Sequence, residues 1–291
     1  MYTCVYCGTQ SDGSGRSCPG CGAPIDVKLK MSNSGWVQLP PIADMARIQI
    51  GNSTVQIEGT LVPSADFNLA PGEGVYFGHH ELLWKDPPTS LQMMSLRGGW
   101  KRMRAGMDIH MLTATGPGHV SISRDHPGEM LAIPIHPARS VDTREHVFMA
   151  ATTTVVYDWF DSNVWFQTRE GSETETHYPV GRYLDRFSAP QTPGLLLMHT
   201  HGNAFVRQLN AGETILIQPG SLIYKDTSVT AHLHFEHPAI GSFRTWRAWG
   251  QRYMWLRLHG PGRVAVQSAF EPVEDEGHRI VGTSQSTRHQ W

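Results

Sequence analysis

The chain has 291 residues, which is long enough for one large β domain or for two ordinary domains. Its 24 Lys and Arg residues nearly balance its 26 Asp and Glu residues, and the formal net charge of -2 gives no electrostatic basis for nucleic acid or an anionic membrane as the main partner. The 29 glycines, 19 prolines and 9 tryptophans favour short strands and many turns over long helices.

Membrane spans and targeting segments are not evident in the sequence. No apolar run approaches the roughly 18–20 residues that a membrane-spanning helix needs. The first residues, MYTCVYC, resemble neither a signal peptide nor an arginine-rich presequence. We therefore expect a cytoplasmic protein whose association with membranes is at most peripheral.

Residues 1–25 contain all four cysteines of the chain, at Cys4, Cys7, Cys18 and Cys21. Each Cys-x2-Cys pair aims two thiolates at one point, and two such pairs complete the tetrahedral sulfur site that suits Zn²⁺. The stretch resembles the short zinc ribbons of bacterial proteins, which share its Cys-Pro-x-Cys-Gly-Ala-Pro ending. We predict a structural zinc site that is closed to substrate, with two disulfides or an iron–sulfur site as the alternatives.

The rest of the chain divides by composition. Residues 26–45 are polar and contain prolines, so we predict a linker. From residue 46 to residue 270 the β pattern is nearly continuous, which predicts a single β domain. The tail, residues 271–291, begins acidic and ends polar, and we predict that it is disordered.

Residues 72–86 and 212–226 follow one pattern, which aligns position by position without a gap. Each copy begins with Gly-Glu and β-forming residues, passes four turn-like residues and ends in an aromatic residue followed by Lys-Asp. We predict a β-hairpin for each copy. A third copy begins at residues 127–135, where ten extra residues precede the predicted closing strand, 147–151. Because the turn residues differ while Lys-Asp is retained, we interpret the motif as structural.

Glycine turns form a second repeated element. Gly-Pro-Gly occurs at residues 116–118 and again at 260–262, and a weaker copy lies at 202–206. Each turn is preceded and followed by a predicted strand. Three glycine turns that alternate with three Gly-Glu motifs predict an all-β domain with pseudo-threefold repeats, folded as a double-stranded β-helix or β-prism.

The order of these motifs, with Gly-Gly-Trp-Lys-Arg at 98–102 and Gly-Pro-Gly-Arg-Val-Ala-Val-Gln-Ser at 260–268, resembles the AIM24 family over residues 46–270. The resemblance implies a β-helical fold akin to that of the tryptophan RNA-binding attenuation protein (TRAP-like), self-association, and a scaffold-like or membrane-associated role in mitochondria. It carries over no catalytic residue. The chain departs from the family pattern in its zinc ribbon and in the proline-containing segment 136–145.

Two His-x-His pairs, His199 with His201 and His232 with His234, lie on predicted strands. Imidazoles two residues apart share one face of a strand, so the two pairs could form a cupin-like metal site. The acidic ligand that follows such a pair in cupins is missing. In the repeat alignment, the first pair corresponds to two threonines in one copy and to Arg and His in another. We interpret the pairs as polar rows on half-exposed strands and keep a cupin-like metalloenzyme as the alternative.

Trp246, Trp249 and Trp255 are interspersed with arginines, as in surfaces that stack nucleic-acid bases. We favour an amphipathic strand with inward aromatics, because excess positive charge is absent, and keep nucleic-acid binding as a second alternative. The sequence contains no nucleophile elbow, phosphate-binding loop or zincin motif. We therefore expect a non-enzymatic scaffold with no catalytic residues, which contacts protein partners through the zinc ribbon and forms homo-oligomers through the β domain.

Overall fold

The computed structural model describes residues 2–3, 9–12, 34–38, 46–59, 61–96, 110–236, 253–270 and 279–284. In these residues the chain is all-β, as predicted, with short 3₁₀ turns at His79–Glu81 and Pro219–Ser221. The described part of the chain contains no helix that is long and apolar enough to cross a membrane. The four cysteines of the predicted zinc ribbon lie outside the described residues.

The strands are numbered in chain order. They are β1 (Tyr2–Thr3), β2 (Gln10–Ser11), β3 (Val37–Gln38), β4 (Ala46–Ile50), β5 (Ser53–Glu58), β6 (Ser64–Leu69), β7 (Gly74–Phe77), β8 (Leu82–Lys85), β9 (Ser90–Ser95), β10 (His110–Thr115), β11 (Gly118–Ser123), β12 (Glu129–Ile135), β13 (Ser140–Arg144), β14 (Phe148–Thr152), β15 (Val156–Asp161), β16 (Phe166–Glu170), β17 (Glu173–His177), β18 (Tyr183–Ser188), β19 (Gly194–Thr200), β20 (Ala204–Leu209), β21 (Thr214–Ile217), β22 (Leu222–Asp226), β23 (Thr230–Glu236), β24 (Tyr253–His259), β25 (Gly262–Gln267) and β26 (Arg279–Thr283).

The chain divides into two compact units, and each is built from several separate segments. Unit 1 consists of residues 1–140, 146–158 and 187–205, and unit 2 consists of residues 141–145, 159–186 and 206–291. The predicted β domain, residues 46–270, therefore contributes to both units.

Unit 1 contains two large antiparallel sheets. One has the strand order β12-β19-β14-β7-β10-β9, and the other has the order β4-β5-β6-β11-β8. Alternation of apolar and polar residues along β5 and β6 directs Val55 and Phe67 inward, where both are almost fully buried. They join one apolar core with Val120 from the same sheet and with Phe77 and Leu197 from the six-stranded sheet. Burial of these large side chains stabilises the pairing of the two sheets.

Unit 2 contains the three-stranded sheets β21-β24-β23 and β17-β16-β26, and most of a larger sheet in which β13-β22-β25 are successive neighbours. Asp142 on β13 is fully buried, and its carboxylate accepts hydrogen bonds from Lys225 Nζ at 2.8 Å and Arg186 Nε at 2.7 Å. A buried carboxylate requires such paired donors, so this triad fixes β13 beside β22.

The two Gly-Glu copies fold alike, but the prediction that each forms a β-hairpin is wrong. In the first copy, β7 belongs to the six-stranded sheet and β8 to the five-stranded sheet, with the turn His79–Glu81 between them. In the second copy, β21 pairs with β24 whereas β22 pairs with β25 and β13. Each copy is therefore a strand–3₁₀–strand arch whose two strands join different sheets.

The repeats are visible in the strand pairing. Three strands enter a glycine turn, β10, β19 and β24, and each lies between two neighbours in its sheet. The resulting triplets are β7-β10-β9, β12-β19-β14 and β21-β24-β23. By this pairing, β14 corresponds to β9, so the prediction that residues 147–151 close the third copy is also wrong. The extra residues of that copy contain β13, which pairs with β22 and occupies the place of β8 in the motif.

Two further predictions are affected by the strand assignments. Within the tail predicted to be disordered, Arg279–Thr283 forms β26 and pairs with β16, so this part of the prediction is wrong. Within the predicted linker, Val37–Gln38 forms the short strand β3. Residues 271–278 and 285–291, which complete the tail, lie outside the described residues.

Candidate functional site

The candidate site lies in unit 1, where the loop between β11 and β12 meets the end of β19. β12 and β19 pair antiparallel, with Met130 opposite His199 and Glu129 opposite Thr200. The loop that enters β12, residues 124–128, therefore lies beside the residues that leave β19. This register places His126 next to the His199-Thr200-His201 stretch.

Three histidines converge at this point. His126, His199 and His201 each offer one ring nitrogen, and these nitrogens all lie within 4.8 Å of one another. The ring of His126 stacks on that of His201 at a centroid distance of 4.6 Å and meets that of His199 edge-on at 4.9 Å. Imidazole nitrogens gathered in this way are the ligand type that Zn²⁺, Cu²⁺, Ni²⁺ and Fe²⁺ accept.

His199 forms the buried base of the cluster. It is 2% exposed, because β19 is a central strand with β12 on one side and β14 on the other. Its Nε2 atom is buried and has no hydrogen-bond partner among the described residues. Burial, and then the neighbouring His126 and Arg124, lower the pKa of His199 to about 4. The ring is therefore neutral at physiological pH and keeps a lone pair for a ligand.

His126 is held by the residue that precedes it. Its Nδ1 atom lies 2.5 Å from Oδ1 of Asp125, and this hydrogen bond is the main reason that the pKa of Asp125 is lowered. A carboxylate bonded to one ring nitrogen orients the ring and leaves the other nitrogen for a metal, an arrangement common in histidine metal sites. His126 is half-buried and His201 is exposed, so the cluster opens to solvent on this side.

A buried ion pair anchors the loop. Arg124 Nε lies 3.1 Å from Oε1 of Glu81, and the two side chains are only 9% and 3% exposed. The same guanidinium donates from Nη2 to the carbonyl oxygens of His146 at 2.6 Å and Phe148 at 2.8 Å. Glu81 therefore offsets part of the positive charge of Arg124 beside the cluster, and Asp125 adds a negative charge.

Gly128 packs directly against the cluster, where a side chain would clash with it. A Cβ atom at this position would lie 2.6 Å from His199 Nε2 and 2.1 Å from the carbonyl oxygen of Thr200. The equivalent glycines of the other two copies, Gly72 and Gly212, would meet nothing within 4 Å. Gly128 is therefore required by close packing against His199, whereas Gly72 and Gly212 are required by their positive φ angles.

The sequence prediction for the histidines is partly wrong. His199 and His201 converge with His126, whereas His232 and His234 lie on β23 in unit 2 and are not in the cluster. His232 and His234 are half-exposed, as predicted for a polar row, but His199 is buried and not solvated. The prediction missed His126, because no strand pattern contains it. The sequence marks His126 only by its position, because Asp125-His126 directly precedes the Pro-Gly-Glu that begins the third copy of the motif.

The prediction that the tryptophans point inward is wrong for Trp255. On β24 the buried residues are Met254, Leu256 and Leu258, and Trp255 lies on the opposite, half-exposed face. Its Nε1 donates to Oε2 of Glu236 at 3.0 Å. On the same face the ring of Tyr253 stacks on that of Trp255 at a centroid distance of 6.1 Å. Trp246 and Trp249 lie outside the described residues.

Comparison with known proteins supports the fold and the family. The chain resembles the X-ray crystal structure of protein SPYM3_0169 from Streptococcus pyogenes with a TM-score of 0.51 and 15% sequence identity, over 75% of this chain and 94% of that one. At this identity the likeness concerns the fold alone. No curated protein matches the chain. The family model described as Mitochondrial biogenesis AIM24 matches residues 55–269, which is most of the chain. The protein therefore belongs to the AIM24 family.

Proposed function

We propose that the protein is a non-enzymatic scaffold, which self-associates through β8 of its five-stranded sheet and contacts other proteins through an N-terminal zinc ribbon. The observation that carries the self-association is a difference between β8 and its repeat counterpart β22. β22 pairs with β25 on one side and with β13 on the other, whereas β8, in the described part of the chain, pairs with β11 alone.

The missing neighbour has a measurable effect on the side chains. Both strands contain a β-bulge at the same place in the repeat. On β22, Ile223 and Tyr224 are 0% and 3% exposed. The equivalent residues on β8, Leu83 and Trp84, are 60% and 44% exposed. An apolar edge strand that is left open in water is unfavourable and favours pairing with another strand.

A second copy of this chain is the occupant that fits the edge best. Two identical edges can pair antiparallel across a twofold axis, because each then presents the same surface to the other. Such pairing would bury Leu83 and Trp84. The β8 strand of the second copy would then occupy the position that β13 occupies beside β22. Lys85 does not oppose this pairing, because its Nζ donates to the carbonyl oxygens of Asp86 and Thr89 within its own chain.

Sedimentation velocity tests the proposal. We expect the full-length chain to be a dimer, and Trp84→Lys to raise the dissociation constant at least about tenfold, because a charge would be buried at the strand edge. Met93→Lys is the matched control, since Met93 is 62% exposed on β9, an edge strand of the other sheet. A monomeric wild-type chain, or a Trp84→Lys variant that dimerises like the control, would contradict the proposal.

The zinc ribbon is proposed as the recognition or tethering module, with Cys4, Cys7, Cys18 and Cys21 as ligands of a structural Zn²⁺. The spacing of the four cysteines in two Cys-x2-Cys pairs supports it. We expect Cys→Ser variants to lose one zinc equivalent. Affinity capture with and without residues 1–25 would then identify partners that depend on the ribbon, and equal capture by both forms would contradict the tethering role.

We also propose that the repeats form a TRAP-like, pseudo-threefold β-helical arrangement and that the protein is cytoplasmic. The three equivalent strand triplets support the arrangement, and the near-neutral charge supports a partner other than nucleic acid or membrane. Cell fractionation tests the location. Salt-sensitive retention on a polynucleotide column would contradict the exclusion of nucleic acid.

A further inference from the structure

We propose that His126, His199 and His201 bind a divalent transition-metal ion of the imidazole-preferring group, for which Zn²⁺ is a suitable probe. This site is separate from the predicted zinc ribbon and does not depend on self-association through β8. The three residues come from one loop and one strand end of unit 1.

The spacing of the histidines is close to what a metal requires. A tetrahedral ion with nitrogen ligands at about 2.1 Å holds those nitrogens about 3.4 Å apart. The ring nitrogens here already lie within 4.8 Å of one another. Rotations of the more exposed His126 and His201 side chains can close the difference of about 1.4 Å, while buried His199 keeps its position.

The donor chemistry selects the class of ion. The cluster presents imidazole nitrogens without a thiolate, and such a set favours Zn²⁺, Cu²⁺, Ni²⁺ or Co²⁺ over the oxygen-seeking Mg²⁺ and Ca²⁺. His199 contributes a buried Nε2 with no hydrogen-bond partner among the described residues, which is costly and would be relieved by a metal. Asp125 supplies the carboxylate behind His126 that histidine metal sites usually have.

The positive charge next to the cluster is partly offset by acidic groups. Arg124 is the adjacent positive group, and its guanidinium is paired with Glu81 and bonded to two carbonyl oxygens. Asp125 is exposed and directly beside His126. Glu81 thus offsets part of the charge of Arg124, and the negative charge of Asp125 next to His126 opposes the remainder.

Three protein ligands leave a coordination position free. Because His201 is exposed and His126 half-buried, this position would face solvent, and water or a small anion would complete the coordination. The site thus differs from the predicted four-cysteine ribbon, whose positions would all be filled by protein. The free position also gives the metal a route for entry and exchange.

The test uses the full-length chain, so that the ribbon retains its own ligands. After incubation with excess Zn²⁺ and desalting, zinc per chain is measured for wild type, His126→Ala and His201→Ala. These two positions are chosen because buried His199 is needed for packing. The matched control is His232→Ala with His234→Ala, a His-x-His pair outside the cluster. Titration with Co²⁺ then separates nitrogen ligands from thiolates, which give intense sulfur-to-cobalt absorption.

We expect wild type and control to hold one zinc equivalent more than either cluster variant, and the variants to bind at least about 100-fold more weakly at this site. The corresponding Co²⁺ spectrum should lack the thiolate absorption. The proposal is overturned if His126→Ala and His201→Ala retain the same zinc content and affinity as the wild-type chain. It is equally overturned if the control loses the additional equivalent, since the site would then lie on β23.

Discussion

Asp86 accepts a hydrogen bond from the backbone N–H of His119 at 3.0 Å, directly after the first Gly-Pro-Gly turn. The same relationship occurs in the second copy, where Oδ2 of Asp226 accepts from the N–H of Arg263 at 2.8 Å. In each copy the aspartate that ends the arch is thus bonded to the strand that leaves the glycine turn. This contact explains why the aspartate is repeated while the residues of the 3₁₀ turn differ.

Removal of this contact should destabilise the fold. We expect Asp86→Ala to lower the free energy of unfolding by about 1–2 kcal/mol, because a hydrogen bond to a charged acceptor is lost and the His119 N–H is left without it. Urea denaturation measures the change. Glu173→Ala, at an exposed position on β17, is the control and should have almost no effect. A similar loss in both variants would contradict the role of Asp86.

Substitution of Arg124 alone should lower the free energy of unfolding more than substitution of Arg124 and Glu81 together. Arg124→Met leaves a buried carboxylate without its counter-charge, and we expect a loss of about 3–5 kcal/mol in the free energy of unfolding. The double variant, Arg124→Met with Glu81→Gln, should recover part of that loss. A double-mutant cycle from denaturation curves gives the coupling, and additive effects would contradict the ion pair.

Gly128 and Gly72 occupy equivalent positions in the repeats but should respond differently to alanine. Gly128→Ala places a Cβ against His199 and Thr200, and we expect a cost of about 2–3 kcal/mol from overpacking. Gly72→Ala has open space and incurs only the strain of its positive φ, about 1 kcal/mol. Thermal denaturation of both variants checks the order, and the reverse order would contradict the packing argument.

Glu73 should make stability depend on pH in the acid range. Hydrogen bonds from the Asn52 backbone N–H and then from the Ser53 hydroxyl lower the pKa of Glu73 below its ordinary 4.5. Because the folded protein favours the charged form, its contribution is fully present above pH 4.5 and is lost as the pH falls through the lowered pKa. Glu73→Gln should therefore flatten the stability curve below pH 4.5. An unchanged acid dependence in this variant would contradict the assignment.

The sequence predicts the all-β class, the repeats and the family, because glycine turns and Gly-Glu motifs determine local backbone geometry. It also predicts correctly that the motif is structural, since Asp86 and Asp226 make the same backbone contact. The hairpin prediction fails because a strand–turn–strand pattern does not specify whether the second strand returns to the first sheet. That choice depends on which distant strands, such as β11 or β25, are available as neighbours.

The histidine cluster could not be predicted for a related reason. His199 and His201 are separated by a single residue, so their shared face is readable from the sequence, but His126 lies far earlier in the chain, in a loop. The register of β12 against β19 brings the groups together, and this register is a property of the folded sheets. His199 aligns with Thr113 and Arg257 of the other repeats, which predicts a solvated position, but equivalent strands lie at different places within their sheets and differ in burial.

The arches have a consequence for biosynthesis. The two strands joined by a 3₁₀ turn do not pair with each other. The pairing of β7 therefore requires β10 and β14, which are synthesised later. Pairing between such distant segments slows folding and leaves β edges open on the nascent chain. The segments of the two units also alternate along the sequence. Cutting the gene between repeats would therefore remove strands from both units, and an expression boundary inside residues 46–270 should give insoluble protein.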